Sequence, residues 1–299
     1  MSEPEIADMY FRRVTGAINL ESRVTVLHES ATSILGANDK LDDQSWLVLS
    51  AIPFSPGNLE LEVGVAEQWI EWVRPALRHF PTARGQAWEF ADRYLTSASV
   101  GFRSIVLTDG SQASSQFHSL FASLRLDGSG FIAFGHPGIR NIHQDTTNVR
   151  DVYDEHVLAD VIHGLDVLSN HAIRAGVTGD LSIGAQLQSD RYMALFQYRH
   201  MQYGQLASTR LVDHMTPLAL RSTPIEAPSV PGSDLMALTR SVVTDLFSSF
   251  GLSQPYQITA DNQLDVRHFY RDQFGPVDIR KNLGDWAKAA GIDAIGVPT

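Results

Sequence analysis

Apolar and small side chains recur every three or four residues in the first part of the chain, from Ile6 to Ile34. The stripe comprises nine positions, of which only Arg13 is charged: Ile6, Tyr10, Arg13, Ala17, Leu20, Val24, Leu27, Ala31 and Ile34. Because an α-helix turns once every 3.6 residues, this spacing places the stripe along one side of a helix. Ser2 suits the cap before such a helix, and Gly36 suits its end. The pattern therefore predicts one long N-terminal helix over residues 1–36.

The apolar side of this helix must lie against other apolar surface. A dimeric coiled coil needs complementary charges beside its seam, and only Glu21 and Arg23 suit that role. Met9 and Val14 instead widen the apolar side, as expected of a helix that lies on its own sheet. We therefore expect packing within the chain. The alternative is self-association or binding of a protein partner, and it assigns four interaction residues: Tyr10, Leu20, Val24 and Leu27.

Short apolar runs in the middle of the chain predict strands. Residues 46–52 are apolar on both sides and end at Pro53, which is typical of a buried strand. Residues 181–187 alternate between apolar and polar, which predicts a strand with one solvated face. Further strands are predicted over residues 93–108, 192–200 and 205–213.

The clearest strand pair surrounds the sequence Asp127-Gly128-Ser129-Gly130. Glycine at the first position of a two-residue Gly-Ser loop is typical of a type II′ turn. Such a loop pairs Leu126 with Phe131 and Leu124 with Ala133, and it predicts a hairpin with these apolar side chains on one face.

Two more amphipathic helices are predicted, over residues 153–175 and 234–250. Strand groups alternate with single helices rather than one for one, which favours an α+β fold over a doubly wound sheet. We predict a long N-terminal helix packed on a mainly antiparallel sheet with two further amphipathic helices. The predicted domains are the helix at 1–36, a core at 46–250 that divides into two subdomains near 135–151, and a weakly patterned extension at 252–299.

Composition narrows the function classes. The chain carries 34 acidic and 23 basic residues, and this net charge of −11 opposes direct binding to nucleic acid. The longest apolar run, residues 46–52, is far shorter than the roughly 20 residues that span a bilayer. The first residues lack the order of a signal peptide, and the absence of cysteine fits a reducing compartment. We expect a cytoplasmic protein that binds no membrane.

Three polar residues of the 153–175 helix are candidate metal ligands: His156, Asp160 and His163. His156 and Asp160 are four residues apart, a spacing that lets one helix supply two ligands. A helical projection places all three, together with His171, away from the apolar side around Leu158. The simpler interpretation is a solvated polar side, which we expect here.

The polar segment 135–151 contains candidates for acid–base catalysis, His136, His143 and Asp145. A histidine and an aspartate on a loop beside a hairpin suit a hydrolase. A His-Pro-Gly turn is equally natural as a structural connection. Glycines 128, 130 and 135 lack the Gly-Lys-Ser/Thr ending of a phosphate loop, so no cofactor is expected.

Several short strings occur in a characteristic order. They are the opening Met-Ser-Glu-Pro-Glu-Ile, the run Trp46-Leu47-Val48-Leu49 before Pro53, the hairpin at 120–134, and Gly-Val-Thr-Gly-Asp with the strand after it at 176–187. In this order the chain resembles the region C-terminal to the Schlafen-type AlbA domain in actinobacterial ATP-binding or transcriptional-regulator-like proteins. The resemblance implies an accessory half of a regulator, or a phage-borne relative, without the AlbA domain. We therefore predict a non-enzymatic regulatory or interaction module, with a hydrolase as the alternative.

Overall fold

The computed structural model describes residues 20–35, 44–60, 95–101, 103–109, 120–137, 149–196, 210–225, 233–269 and 279–298. Its helices are α1 (residues 20–35), α2 (Asp154–Arg174), α3 (Ser233–Ser248) and α4 (Ile279–Ala289), with a 3-10 turn at Val266–His268. The strands are β1 (Gln44–Pro53), β2 (Leu95–Gly101), β3 (Ser104–Asp109), β4 (Leu120–Arg125), β5 (Gly130–Pro137), β6 (Val149–Tyr153), β7 (Asp180–Gln188), β8 (Tyr192–Phe196), β9 (Ala219–Pro224), β10 (Leu264–Asp265) and β11 (Ala294–Ile295).

Seven of these strands form one antiparallel sheet in the order β2-β3-β4-β5-β1-β7-β9. The first strand lies between β5 and β7, so that Leu47 pairs with Phe134 on one side and with Leu187 on the other. Strands β5 and β7 therefore run in the same direction, and α2 connects them across β1. The pairs β6–β8 and β10–β11 are separate and parallel. The predicted α+β class is confirmed.

Helix α1 covers one face of this sheet. Its apolar side packs on the alternate residues of β1 that face it, together with residues of β4 and β5. The buried set comprises Leu20, Val24, Leu27, Ala31 and Leu35 of the helix, and Trp46, Val48, Ile52, Phe121, Phe131 and Ala133 of the sheet. The expected packing of the N-terminal helix on its own sheet is thus confirmed for residues 20–35. Residues 6–19, including Tyr10, lie outside the described part of the chain.

Helices α2 and α3 cover the opposite face and enclose the larger core. Gly164 of α2 lies directly over the sheet, because a Cβ atom there would collide with Leu49 and lie 3.2 Å from Ile132 and from Phe134. Gly176 takes a positive φ of 75° just after α2, and Val177 N–H donates to Ala172 O at 3.0 Å. This is a glycine helix stop directly after the predicted helix of residues 153–175.

Covering both faces changes the environment of β7. Its sequence predicts one solvated face, yet only Asp180 is exposed and Gln186 half-buried, while the other seven residues are buried. Polar residues such as Ser182 and Gln188 therefore lie beneath α1 rather than in water. The prediction was wrong because alternation reports polarity, and a second layer can still cover the polar side.

The turn between β4 and β5 differs from the predicted type. Arg125 O accepts from Gly128 N–H at 3.1 Å, and Arg125 N–H donates to Ser129 O at 2.8 Å. Gly128 has a φ of 83°, and Asp127 Oδ1 accepts from Ser129 N–H at 3.0 Å. The connection is therefore a three-residue loop that ends in a left-handed glycine, a common hairpin type.

This loop sets a different register from the predicted one. Leu124 pairs with Gly130 rather than with Ala133, and Leu126 lies in the turn rather than opposite Phe131. Both faces of β5 are apolar, since each face packs on a helix layer. The hydrophobic pattern therefore fits either register, and the turn decides between them.

The segment after α3, predicted to be weakly patterned, contributes to the larger core. Leu264 of β10, Leu283 of α4 and Ile292 are buried in the same cluster as the residues of α2. None of the helices in the described ranges is both long and apolar enough to cross a membrane.

The α1–sheet interface predicts a contrast between two adjacent residues. Leu27 is 1% exposed and Val26 is 63% exposed. Leu27→Ala should lower the free energy of unfolding by about 3 kcal/mol through lost burial and a residual cavity. Val26→Ala, the matched control, should change it by less than about 0.5 kcal/mol. Urea denaturation measures both, and equal losses would contradict the placement of α1.

Candidate functional site

A histidine and an aspartate form a fully buried pair between the sheet and α2. His136 is on β5 opposite Ser45 and follows Ile132 and Phe134 on the same face. Its Nε2 atom lies 3.0 Å from Oδ2 of Asp160, which is on α2. The two side chains are 1% and 0% exposed.

Aromatic rings surround this pair. His156 precedes Asp160 by one helical turn, and its ring stacks on His136 with centroids 6.2 Å apart. The Tyr153 ring lies against the rings of His156 and Phe196, with centroid distances of 5.3 and 5.2 Å. The pair therefore lies at the junction of β5, α2 and the β6–β8 ribbon.

The electrostatics of Asp160 combine two opposing effects. Burial raises its pKa, since a charged carboxylate loses its hydration, while the hydrogen bond and the charge of His136 lower it. Burial is the larger effect. Within the described residues, no donor reaches Oδ1 of Asp160, and His136 Nε2 approaches Oδ2 away from the ideal hydrogen-bond direction. The pair has the components of an acid–base dyad, but in this conformation neither side chain is accessible to a substrate.

The prediction that the polar side of α2 is solvated was wrong. His156, Asp160, His163 and His171 are 7%, 0%, 2% and 1% exposed. Asp160 and Gly164 lie against the sheet, and His171 Nε2 lies 2.7 Å from Arg125 O of β4. The helix also packs on α3, so it is covered from more than one direction. A projection that assumes a single buried side cannot show this.

The structure groups the candidate metal ligands differently from the prediction. Asp160 pairs with His136 of β5, and the described ranges contain no group of three histidine or acidic side chains placed to hold a metal ion. His156 is buried beside this pair, and His163 is buried farther along α2. The metal interpretation of His156, Asp160 and His163 therefore gains no support.

The catalytic candidates of the 135–151 segment fall in two places. His136 belongs to strand β5 rather than to a loop, and its described carboxylate partner is Asp160. His143 and Asp145 lie outside the described residues, so their convergence with His136 stays a prediction. The sequence did contain one signal for the observed pair: His136 continues the inward alternation of Ile132 and Phe134.

A second polar contact anchors the start of α2. Oδ1 of Asp154 accepts from Glu155 N–H at 2.8 Å, and its Oδ2 accepts from Gln257 Nε2 at 2.7 Å. Asp154 and Gln257 are 2% and 1% exposed. This contact ties the C-terminal segment to α2, so its role is structural.

A different part of the chain exposes apolar side chains. Met193 and Val212 exchange backbone hydrogen bonds of 2.7 and 2.9 Å, which places Tyr192 and Leu211 on the opposite, outer side of this ribbon. Tyr192, Leu211 and Met215 are 46%, 52% and 52% exposed. The His214 ring stacks on Tyr192 with centroids 6.0 Å apart. We call these four residues the 192–215 surface.

Sequence reasoning did not identify the 192–215 surface. Its members come from two segments that are distant along the chain and are brought together by the bridges Met193–Val212 and Gln188–Met215. Leucine and methionine are ordinary core residues, so nothing in the sequence around Leu211 and Met215 indicates that these side chains are exposed.

Comparisons with models of protein families, with curated proteins and with solved structures find no match to this chain. The resemblance to Schlafen-associated regions therefore stays a prediction.

The buried pair predicts energetic coupling. His136→Gln and Asp160→Asn should each destabilise the protein, and the double variant should lose less than the sum by about 1 kcal/mol or more, because the two changes remove one shared contact. The matched control is Asp160→Asn combined with His171→Gln, which lie about 16 Å apart along α2. That combination should be additive within about 0.5 kcal/mol. Additivity of the first pair in urea denaturation would contradict the contact.

Substitution of Asp166 on α2 should raise the stability of the protein by an amount that depends on pH. Burial raises its pKa from 3.8 to about 6, although Asn170 Nδ2 donates to its Oδ1 at 2.8 Å. The folded state then holds the proton more tightly than the unfolded chain, so stability is lost as pH rises from 3.8 through 6. Asp166→Asn should therefore stabilise the protein, relative to wild type, by about 2 kcal/mol more at about pH 7.5 than at about pH 4.

The exposed Asp285→Asn of α4 is the control for this comparison. It should change the free energy of unfolding by less than about 0.5 kcal/mol at either pH. Denaturant midpoints at the two pH values test the prediction, and an Asp166→Asn effect that does not change with pH would refute it.

Proposed function

We propose that this protein is a non-enzymatic interaction module that associates with a second copy of itself through the 192–215 surface. The observation that carries the proposal is the exposure of Tyr192, Leu211 and Met215 on neighbouring backbone. Single exposed apolar residues are ordinary, but a contiguous group is typical of an interaction site. The group combines an aromatic ring, a methionine and a leucine, and the first two types are enriched in protein interfaces.

The backbone at this surface supports the proposal. His214 has a φ of 39°, in the region that non-glycine residues rarely adopt, and Met215 N–H donates to Asp213 O to close the turn. Asp213 Oδ1 lies 3.0 Å from His214 Nε2, and the His214 ring lies on Tyr192. Rare backbone conformations are costly and concentrate at functional positions. Here the turn holds the apolar side chains outward.

Charge at the edge of the surface favours a second copy as the occupant. Arg191, 39% exposed, precedes Tyr192, and Asp213, 64% exposed, precedes His214. In a two-fold dimer each residue of the patch meets the patch of the other copy, so an edge with both signs can pair with itself. The net charge of −11 on each copy opposes association, and we therefore expect a weak, micromolar dimer.

The N-terminal helix is a poorer candidate for this role. Leu20, Val24 and Leu27 face the chain's own sheet, so a partner would have to displace that sheet. Substitutions such as Leu27→Glu would test folding rather than association. The Schlafen-type resemblance supports a regulatory setting for the module, as an accessory part of a larger system.

The acid–base chemistry of the described core also favours an interaction role over catalysis. The closest approach of His136 to a carboxylate occurs where both side chains are sealed from solvent. An enzyme needs its acid or base within hydrogen-bond reach of a bound substrate. The sealed pair fits a structural role better.

Solution mass tests the proposal. Wild type should show a concentration-dependent monomer–dimer equilibrium by sedimentation at micromolar to submillimolar protein. Leu211→Ser combined with Met215→Ser should weaken the dimer at least about tenfold, because it removes the apolar centre of the interface. Val26→Ser with Val100→Ser is the matched control, since both valines are about equally exposed elsewhere, at 63% and 60%.

The control pair should dimerise as wild type does. A wild-type protein that stays monomeric throughout this range would overturn the proposal. So would an equal loss of dimer in the control pair, because association would then not depend on the 192–215 surface.

A further inference from the structure

A histidine lies inside the otherwise apolar interface between α1 and the sheet. His28 is 3% exposed, and its Nδ1 atom lies 3.0 Å from Ser50 Oγ on the central strand β1. The neighbouring helix positions that face the sheet, Val24, Leu27 and Ala31, are apolar. A leucine would suit this layer better than a titratable ring.

The sheet is built to let the helix approach closely at this point. Gly184 pairs with Ser50, and a Cβ atom on Gly184 would lie 2.5 Å from Val24 Cγ1 and 2.8 Å from Ser50 Oγ. The Ser50 hydroxyl also lies 3.5 Å from Gly184 O. With the hydroxyl hydrogen directed at that carbonyl, His28 Nδ1–H donates to the Ser50 oxygen, and the ring is neutral.

Among the residues that the structure describes, a charged His28 would meet no counter-ion in this layer. The polar groups packed nearby are neutral: Ser50 of β1, and Thr32 of the same helix, which donates to Gln188 Oε1 of β7 at 2.9 Å. Within the described residues, His28 Nε2 has no hydrogen-bond partner. Burial lowers the pKa of His28 from 6.5 to about 4, because a charged imidazole would lose its hydration there. A proton on the ring is therefore uncompensated.

We propose that His28 makes the attachment of α1 to the sheet sensitive to acid, so that its protonation releases the helix and exposes the apolar sheet face beneath. The released face would include Trp46, Val48 and Phe131, which are buried in the same cluster as the residues of α1. This inference does not rest on the proposed self-association, since neither His28 nor Ser50 belongs to the 192–215 surface.

The direction and size of the effect follow from linkage. A histidine whose pKa is lowered in the folded state contributes stability that is present above its ordinary pKa of 6.5 and is lost as pH falls toward 4. If α1 opens locally, the open helix binds the proton at the ordinary pKa. The opening equilibrium should then rise about 30-fold between about pH 7.5 and about pH 5.

Native-state amide hydrogen exchange tests the proposal, with rates corrected for the intrinsic effect of pH. In wild type, peptides from α1 should show the roughly 30-fold increase in opening, while peptides from α3, which contains no histidine, serve as the internal reference and should change less. His28→Met should abolish the acid response of α1 and leave that of α3 unchanged. His28→Gln, which keeps a polar partner for Ser50, provides a second non-titrating variant.

Two control variants distinguish the proposed effect of His28 protonation from a general sensitivity of the protein to acid. His214→Gln changes an exposed histidine, and His171→Gln changes a buried histidine on the opposite face of the sheet, whose pKa burial also lowers to about 4. Both should keep the acid response of α1. An undiminished response in His28→Met and His28→Gln would overturn the proposal, as would equal acid dependence of α1 and α3 in wild type.

Discussion

The burial of the central strand on both faces is the constraint on which the rest of the structure depends. All ten residues of β1 are buried, and successive side chains enter two different cores. Trp46 and Val48 pack under α1, whereas Leu47 and Leu49 pack under α2. Because every strand beside β1 must match this arrangement, the sheet needs apolar residues on both faces and a helix layer on each side.

This double burial determines what happens to polar residues. A hydroxyl or imidazole on β1, β5 or β7 has no solvated face to occupy, so it must find a partner within the layer. His136 finds Asp160, and His28 finds Ser50. Such contacts hold the helices in one position over the sheet, and they also make the cores titratable. His136, Asp160 and His28 are therefore part of the packing between the helices and the sheet.

The same constraint moves the place where the protein can meet a partner. The apolar side of α1, the most conspicuous feature of the sequence, is buried against the sheet. A group of exposed apolar side chains occurs instead at Tyr192, Leu211 and Met215, where the β8 segment meets the chain before β9. An interaction role is compatible with both facts, because an outward patch can bind a partner without rearrangement of the core.

The sequence by itself determined the elements: a helix through Leu20–Ile34, a buried strand at 46–52, α2 with its stop at Gly176, and an α+β arrangement. Periodicity and glycine chemistry are local, so they can be read along the chain. Only the tertiary structure decided the pairing of Leu124 with Gly130, the burial of the polar side of α2, and the contact of His136 with Asp160. The first depends on the turn that forms between two strands whose apolar pattern fits either register. The other two depend on how the sheet and a second helix cover α2, which brings together residues whose separation along the chain carries no spacing signal.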